Sequence, residues 1–424
     1  MKKVLIIADL SHASPRLPSI VKYFTKFNWE PIVITGNKPE SSDQNFRFVL
    51  TKFPNNFIRF KKIFGLNPNK GFQEQMGIPF AIRENQKSFF YKLSTALRAI
   101  ISYPDEHKHW KKYAVKAAKD IIKKEKIDAI ISCSSPVTTH LIAHKLNKKY
   151  KIPWIADFRD LWTQNHNYHY GCIRKFFEEK LEKKILKRAK ILITVSPVWA
   201  KKLSALHKKR VYLITNGFDL NLLKNTEKLS NPLTITYTGP IYTGKQNTNE
   251  FLDCLKELIE NEIINSNDIR VKFYGPKNKK LQMEIEKNDL QNLVKQYGLV
   301  PRKTSFKKQL ESQLLLLLYW NDPKIKGWYP LKVFEYLAAQ RPILVTGGFG
   351  GDVVEELISS THAGFYCKNK EEIKKNLLKF YSEYKQNKNL TCYSNINEIK
   401  KYSYYEASKK FIIFLNNLTS NFRL

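Results

Sequence analysis

The sequence predicts two doubly wound α/β domains in succession, facing each other across a cleft. Short runs rich in Val, Ile and Leu alternate with segments of helical periodicity, the pattern of parallel strands joined by crossover helices. The alternation pauses at Asn216-Gly217-Phe218-Asp219-Leu220, a turn-forming stretch, and then begins again. A chain of 424 residues with 42% hydrophobic content can bury more than one core.

In the first half, strands are predicted over 4–8, 31–35, 129–132, 154–156 and 191–195, with helices over 19–28, 111–126, 138–149 and 174–189. A strand-like run at 211–215 leads into the join. In the second half, strands are predicted over 233–238, 270–274, 314–318 and 342–346, with helices over 249–260, 279–287, 331–339 and 370–384. The domains are thus placed at 1–220 and 221–400. Two segments break the alternation: a Phe- and Lys-rich insertion over about 43–105, and a terminal helix at 404–418, within a 401–424 tail expected to cross back to the first domain. Ligands of such sheets bind beyond the carboxyl ends of the strands, so the cleft is where chemistry belongs.

Lys and Arg total 73 against 38 Asp and Glu, a formal net charge of +35. Such a surface attracts polyanions: nucleic acid, anionic headgroups or phosphorylated substrates. A lysine-heavy proteome is the competing account of the excess. Cysteines at 133, 172, 254, 367 and 392 form no CxxC pair or zinc-like spacing, which fits a reduced cytoplasm. The apolar start at 4–8 is too short for a secretory leader, and the longest apolar run, 314–320, falls well below the ~18 residues of a membrane span. The expectation is a protein that does not cross a bilayer.

The most informative segment is Lys326-Gly327-Trp328-Tyr329-Pro330-Leu331-Lys332-Val333-Phe334-Glu335-Tyr336-Leu337-Ala338-Ala339-Gln340-Arg341-Pro342-Ile343-Leu344. A loop opens a short helix holding one carboxylate, Glu335, among aromatic residues, and a buried strand follows. An unpaired carboxylate near the core is costly, so Glu335 calls for a hydroxyl or amide partner. The competing reading is a surface Glu on an amphipathic helix. The segment resembles the donor-site signature of family 4 glycosyltransferases, in which the Glu matching Glu335 is bidentate to the ribose of a nucleotide sugar. The resemblance also puts Lys332 and Tyr336 at the donor. The family's second Glu, eight residues earlier, is Gly327 here.

Tyr237-Thr238-Gly239-Pro240-Ile241-Tyr242-Thr243-Gly244-Lys245 ends a strand in a glycine-containing turn. Gly239 and Gly244 let backbone approach a diphosphate, and Lys245 can neutralise it. The stretch resembles the family's phosphate-binding G-R-x-x-x-x-K loop, with Pro240 in place of the Arg. In the first domain, Asp157-Phe158-Arg159-Asp160-Leu161-Trp162 follows a strand, so its charges face the predicted cleft; an ion pair fixing a loop is the plainer account. This D-F-R-D-x-W stretch is similar to the subgroup that builds bacterial O-antigens and capsules. The resemblance makes Asp160 and Arg159 the catalytic candidates, with Asp157 in support. Ser134-Ser135-Pro136, with His140 after it, looks like an S-S-P-x-x-x-H turn of the same subgroup; Ser135 could cap a helix or touch acceptor, and His140 fits packing or capping best. Arg16 lies in Ser11-His12-Ala13-Ser14-Pro15-Arg16-Leu17-Pro18, where the family has a glycine-rich acceptor loop.

The resemblance implies a GT-B fold and a retaining transfer from a nucleotide-diphosphate sugar, UDP-linked by preference, with no cofactor and no metal; the chain contains no D-x-D triplet. It further implies a polyprenyl-diphosphate-linked or other glycan acceptor in lipopolysaccharide or capsule synthesis, at the inner face of the cell membrane. Docking on that anionic surface is expected through 52–103, where Lys61 and Lys62 accompany aromatic residues; an ordinary core under the first domain is the competing account of those aromatics. Two other classes stay open. A sugar-nucleotide epimerase shares the two-lobed fold. A basic RNA-binding protein would use the charge, although no RNP, KH or zinc motif is present and no nucleic-acid partner is expected.

Overall fold

The computed structural model describes residues 1–10, 16–38, 46–63, 100–168 and 170–420. They form two compact units: Met1–Thr215 together with the chain from Ser408 on, and Asn216–Ala407.

The first unit is built on seven parallel strands: β1 (Lys2–Ile7), β2 (Trp29–Thr35), β3 (Arg47–Leu50), β4 (Ala129–Ser134), β5 (Trp154–Phe158), β6 (Ile191–Thr194) and β7 (Val211–Leu213). Their order is β3-β2-β1-β4-β5-β6-β7. Central strands are apolar throughout because both their faces are covered: Val4, Leu5, Ile6 and Ile7 are all fully buried. Helices Trp110–Lys124, Thr138–Tyr150, Gly171–Leu186 and Pro197–His207 connect strands stepping one way across the sheet, so right-handed crossovers put them on one face. The helix Arg16–Val21 connects strands stepping the other way and lies opposite. There it is joined by the final helix, Tyr404–Thr419, whose Phe411 meets Phe24, whose Phe414 meets Tyr212, and whose Asn416 accepts from the Trp29 indole at 2.9 Å.

The second unit holds β8 (Leu233–Thr238), β9 (Ile269–Tyr274), β10 (Val294–Gly298), β11 (Leu314–Leu318), β12 (Ile343–Thr346) and β13 (Gly364–Cys367), ordered β10-β9-β8-β11-β12-β13 and all parallel. Its helices include Asn249–Glu260, Arg302–Leu310, Leu331–Ala339, Val353–Thr361 and Lys370–Asn387.

The differences from expectation are local. The helix expected at 19–28 is instead Arg16–Val21 followed by a 3-10 turn, Phe24–Phe27, which Asn28 ends at a φ of 61°. Strands β3, β10 and β13 carry no apolar run long enough to be predicted; each is a sheet edge with half-exposed residues. Most of the 43–105 insertion, including Phe89-Phe90-Tyr91-Lys92-Leu93, lies outside the described residues. Among the described residues no helix is long and apolar enough to cross a membrane.

Candidate functional site

In the first unit the candidates sit at the carboxyl ends of β4 and β5, with Arg16 on the helix after β1. Asp157, within β5, is fully buried and holds the buried Arg16 in a fork, Nη1 to Oδ2 at 2.5 Å and Nη2 to Oδ1 at 3.2 Å. Nη2 also donates to the Ile214 carbonyl at 3.0 Å, and Cys133 Sγ lies 3.1 Å from Asp157 Oδ2. Burial, reinforced by the Asp157 charge, pushes the Cys133 thiol well above its ordinary range. The Arg16 guanidinium, an acceptor-side candidate, ties together the ends of strands, and Asp157 is the other half of that tie.

Arg159 and Asp160, just past β5, are partly exposed and paired with each other at 3.3 Å. Ser134 donates to the Asp160 carbonyl at 3.2 Å, and Ser135 is exposed beside it. Ser134, Ser135 and Arg159 line one depression with Asp9, Arg16 and Cys133, so β1, β4 and β5 all contribute to it. His140 does not reach this depression. It is fully buried against Phe158, with ring centroids 4.6 Å apart, and its Nδ1 lies 2.7 Å from Ser132 Oγ. That hydroxyl accepts from the Trp154 indole at 2.7 Å, which leaves its own proton for Nδ1. Burial, with a smaller push from the His207 charge, lowers the His140 pKa to about 3, so it is a neutral core histidine. The cap of its helix is Asp105, which accepts from the Thr138 amide at 2.6 Å and hydroxyl at 2.9 Å.

In the second unit β8 ends in a turn that begins at Gly239, with a φ of 98° that favours glycine. Its amide donates to the Tyr274 carbonyl at 2.7 Å, fixing the turn to β9. Lys332, at the start of helix Leu331–Ala339, lies on this turn: Nζ is 3.0 Å from where a Gly239 Cβ would stand. The same Nζ donates to Tyr237 Oη at 2.5 Å and sits 3.8 Å from that ring's centroid. Tyr237 passes its own proton to the Pro240 carbonyl at 2.7 Å. Desolvation pulls the Lys332 pKa down to about 7, against the opposing charge of Glu335. Tyr336, fully buried, accepts from the Thr238 amide at 2.9 Å and so anchors the helix to the end of β8.

Glu335 does have a partner, though a cation rather than a hydroxyl or amide. Its Oε1 accepts from Arg302 Nε at 2.9 Å and Nη2 at 2.6 Å. Its Oε2 has no hydrogen-bond partner among the described residues. Lys245, at the far end of the turn, sits over Trp320 at 4.1 Å from the centroid, and Gly244 beside it has a φ of 80° with open space where a Cβ would point. The structure therefore brings Gly239, Lys332 and Tyr336 together at the end of β8, with Glu335 one helical position away and Lys245 across the turn.

Two further features belong to this site. Arg302, 33 residues before Glu335, has no local signal that would mark it. Gly347, Gly348, Gly350 and Gly351, all with positive φ, form a loop at the carboxyl end of β12, where Gly348 donates to Asn321 Oδ1 at 2.7 Å. That run, Gly-Gly-Phe-Gly-Gly, was visible in the sequence as a backbone able to approach a ligand. Among the described residues no group of three His, Cys, Asp or Glu could hold a metal ion.

Residues 78–222 match Glycosyltransferase Family 4. No curated protein matches the chain. Solved structures do: a glycosyltransferase from Rickettsia africae superposes with a TM-score of 0.64 over 99% of both chains, at 15% identity. Anabaena Alr3699/HepE, solved with UDP and glucose, gives 0.61 over 98% of this chain and 100% of that one, at 11% identity. A Listeria monocytogenes protein provisionally named a UDP-N-acetylglucosamine 2-epimerase gives 0.52 over 100% and 98%, at 11% identity. The chain has the GT-B fold, which glycosyltransferases share with the epimerase-named protein, and its residues 78–222 match a glycosyltransferase family.

Proposed function

We propose that the protein transfers a sugar from a nucleotide-diphosphate donor, UDP-linked by preference, to a lipid-linked glycan acceptor in bacterial surface polysaccharide synthesis, at the inner face of the cell membrane. The observation that carries this is the Gly239 turn with the Lys332 ammonium lying on it. A turn of exposed backbone topped by a cation suits a diphosphate. Lys332 also supplies a second cation where Pro240 replaces the family's Arg. With Lys245 it would hold the charge of the leaving diphosphate without a metal. Glu335 Oε2 is available to the ribose hydroxyls while Arg302 holds Oε1. Asp160 and Arg159 are assigned to the acceptor and reacting sugar because they are the exposed charged pair of the first unit's strand ends. Retention of configuration follows from the family likeness, with the acceptor proton passing to a donor phosphate oxygen. UDP in the Anabaena relative supports the choice of base.

Calorimetry against UDP, GDP, dTDP and CMP tests the reading. One nucleoside diphosphate should bind clearly best, and Glu335→Gln should weaken it by about 1.5–3 kcal/mol through loss of a charge-assisted bond. Unchanged affinity in that variant would remove Glu335 from the donor site. The likeness to the Listeria protein keeps epimerisation as the second reading. An epimerase would convert its UDP-sugar without acceptor, and a transferase would not.

A further inference from the structure

Helices Trp110–Lys124, Thr138–Tyr150 and Gly171–Leu186 lie side by side on the first unit's sheet, the middle one packed against both others. A hollow of about 440 Å³ opens on the first two, and six of the eight residues lining it are lysines: Lys108, Lys111, Lys112, Lys116, Lys119 and Lys145. None of the six pairs with a carboxylate among the described residues. Lys112 and Lys116 stand four positions apart on the first helix, a spacing at which like charges destabilise it, and Lys108 lies just before its start. Lys111 is deprived of proton affinity by burial first and then by the Lys145 charge. A repulsive cluster kept in a concavity has its gain in what it binds.

The third helix extends this face with apolar groups. Ile173, Phe176 and Phe177 are 75%, 55% and 56% exposed, and their i, i+3, i+4 spacing sets them on one side. The opposite side is fixed inward: Arg174 pairs with Glu178 at 2.5 Å and donates to the Ser102 and Pro104 carbonyls at 3.0 and 2.9 Å. Lys180 Nζ stands over the Phe176 ring at 4.1 Å.

We propose that this helical face docks on an anionic phospholipid bilayer, the lysine hollow taking headgroup phosphates while Ile173, Phe176 and Phe177 enter the acyl boundary. An aliphatic residue beside two rings suits hydrocarbon, and the hollow contains no Phe, Tyr or Trp on which a nucleic-acid base could stack. This adds a second docking surface to the one expected at 52–103, where Lys61 is buried and Lys62 exposed and most residues lie outside those described. The inference deepens the membrane part of the proposed function and does not depend on the donor site.

The test is co-sedimentation of the full chain with vesicles of phosphatidylcholine alone and of phosphatidylcholine with phosphatidylglycerol. The parent should bind the anionic vesicles, and bind them less as salt rises. Lys112→Glu/Lys116→Glu should lower the partition coefficient by at least about tenfold. Phe176→Ser/Phe177→Ser should remove the binding that survives salt. These positions are at the surface, and melting temperatures matching the parent's would confirm that both variants fold. Equal binding to neutral vesicles, or a charge-reversed variant that binds like the parent, would overturn the proposal. So would an RNA oligonucleotide that binds more tightly and displaces the vesicles. A UDP thermal shift on the same samples separates the two readings, since lost docking with an intact shift concerns this face alone, and the converse concerns the donor site alone.

Discussion

Asp157 and Asp160 stand three positions apart in one motif and have opposite surroundings. Asp157 is buried with Arg16 in a forked ion pair, so Asp157→Asn leaves a buried guanidinium without its counter-charge. Urea unfolding of that variant should show a loss of about 3–5 kcal/mol. Asp160 is partly exposed, and its pair with Arg159 contributes at most about 1 kcal/mol. Asp160→Asn should therefore keep the parent's stability while its turnover falls far more than its donor affinity. Equal turnover would take Asp160 out of the reaction. Lys332 adds a pH dependence. Tyr237 and Glu335 face its ammonium, and its pKa of about 7 in the free protein must rise when a diphosphate binds beside it. Below that pH the group is charged with or without ligand, so affinity is highest there. Above it, binding must take up a proton, and affinity should fall by up to about tenfold per pH unit. Calorimetry at pH 8 in buffers of different ionisation enthalpy should show that uptake, and Lys332→Met should abolish it.

Among the elements, the central strands were legible because burial on both faces demands unbroken apolar runs, as in Leu314–Leu318. Edge strands β3, β10 and β13 obey no such demand and left no pattern. Site geometry was legible only where it is local. The Gly239 turn and helix Leu331–Ala339 could be read from their own residues, but the contact of Lys332 with Tyr237 and that of Glu335 with Arg302 join segments far apart in the chain. The preceding serines offer a cap for helix Thr138–Tyr150, and Asp105 supplies it instead. The two glycines of the phosphate turn provide an internal comparison. Both have positive φ, so Gly239→Ala and Gly244→Ala should each destabilise the unit by about 1–2 kcal/mol. A Cβ at 239 also meets Lys332 Nζ at 3.0 Å, whereas one at 244 meets nothing within 4 Å. Nucleoside diphosphate affinity should consequently fall in Gly239→Ala well beyond its fall in Gly244→Ala. Equal losses would separate Lys332 from the phosphate site.

At the scale of the whole molecule, chain order and folding unit do not coincide. The first unit needs residues from the other end of the chain, since Phe411 and Leu415 are fully buried and the terminal helix completes the sheet face that covers Phe24 and Trp29. Hydrophobic patterning makes a terminal helix legible, but its destination depends on which surface the rest of the chain leaves uncovered. Each fully buried large apolar side chain contributes about 1.5–3 kcal/mol, against a total stability of ~5–15 kcal/mol for a domain. A fragment of residues 1–215 should therefore lack a cooperative melt and expose apolar surface, even though it contains every strand of its sheet. Adding a peptide of residues 404–424 should restore the melt by occupying that surface, with a midpoint that rises with peptide concentration. A Phe411→Ser/Leu415→Ser peptide should fail to do so. If the fragment alone melts as cooperatively as the intact chain, the helix is an accessory to the first unit rather than part of its core.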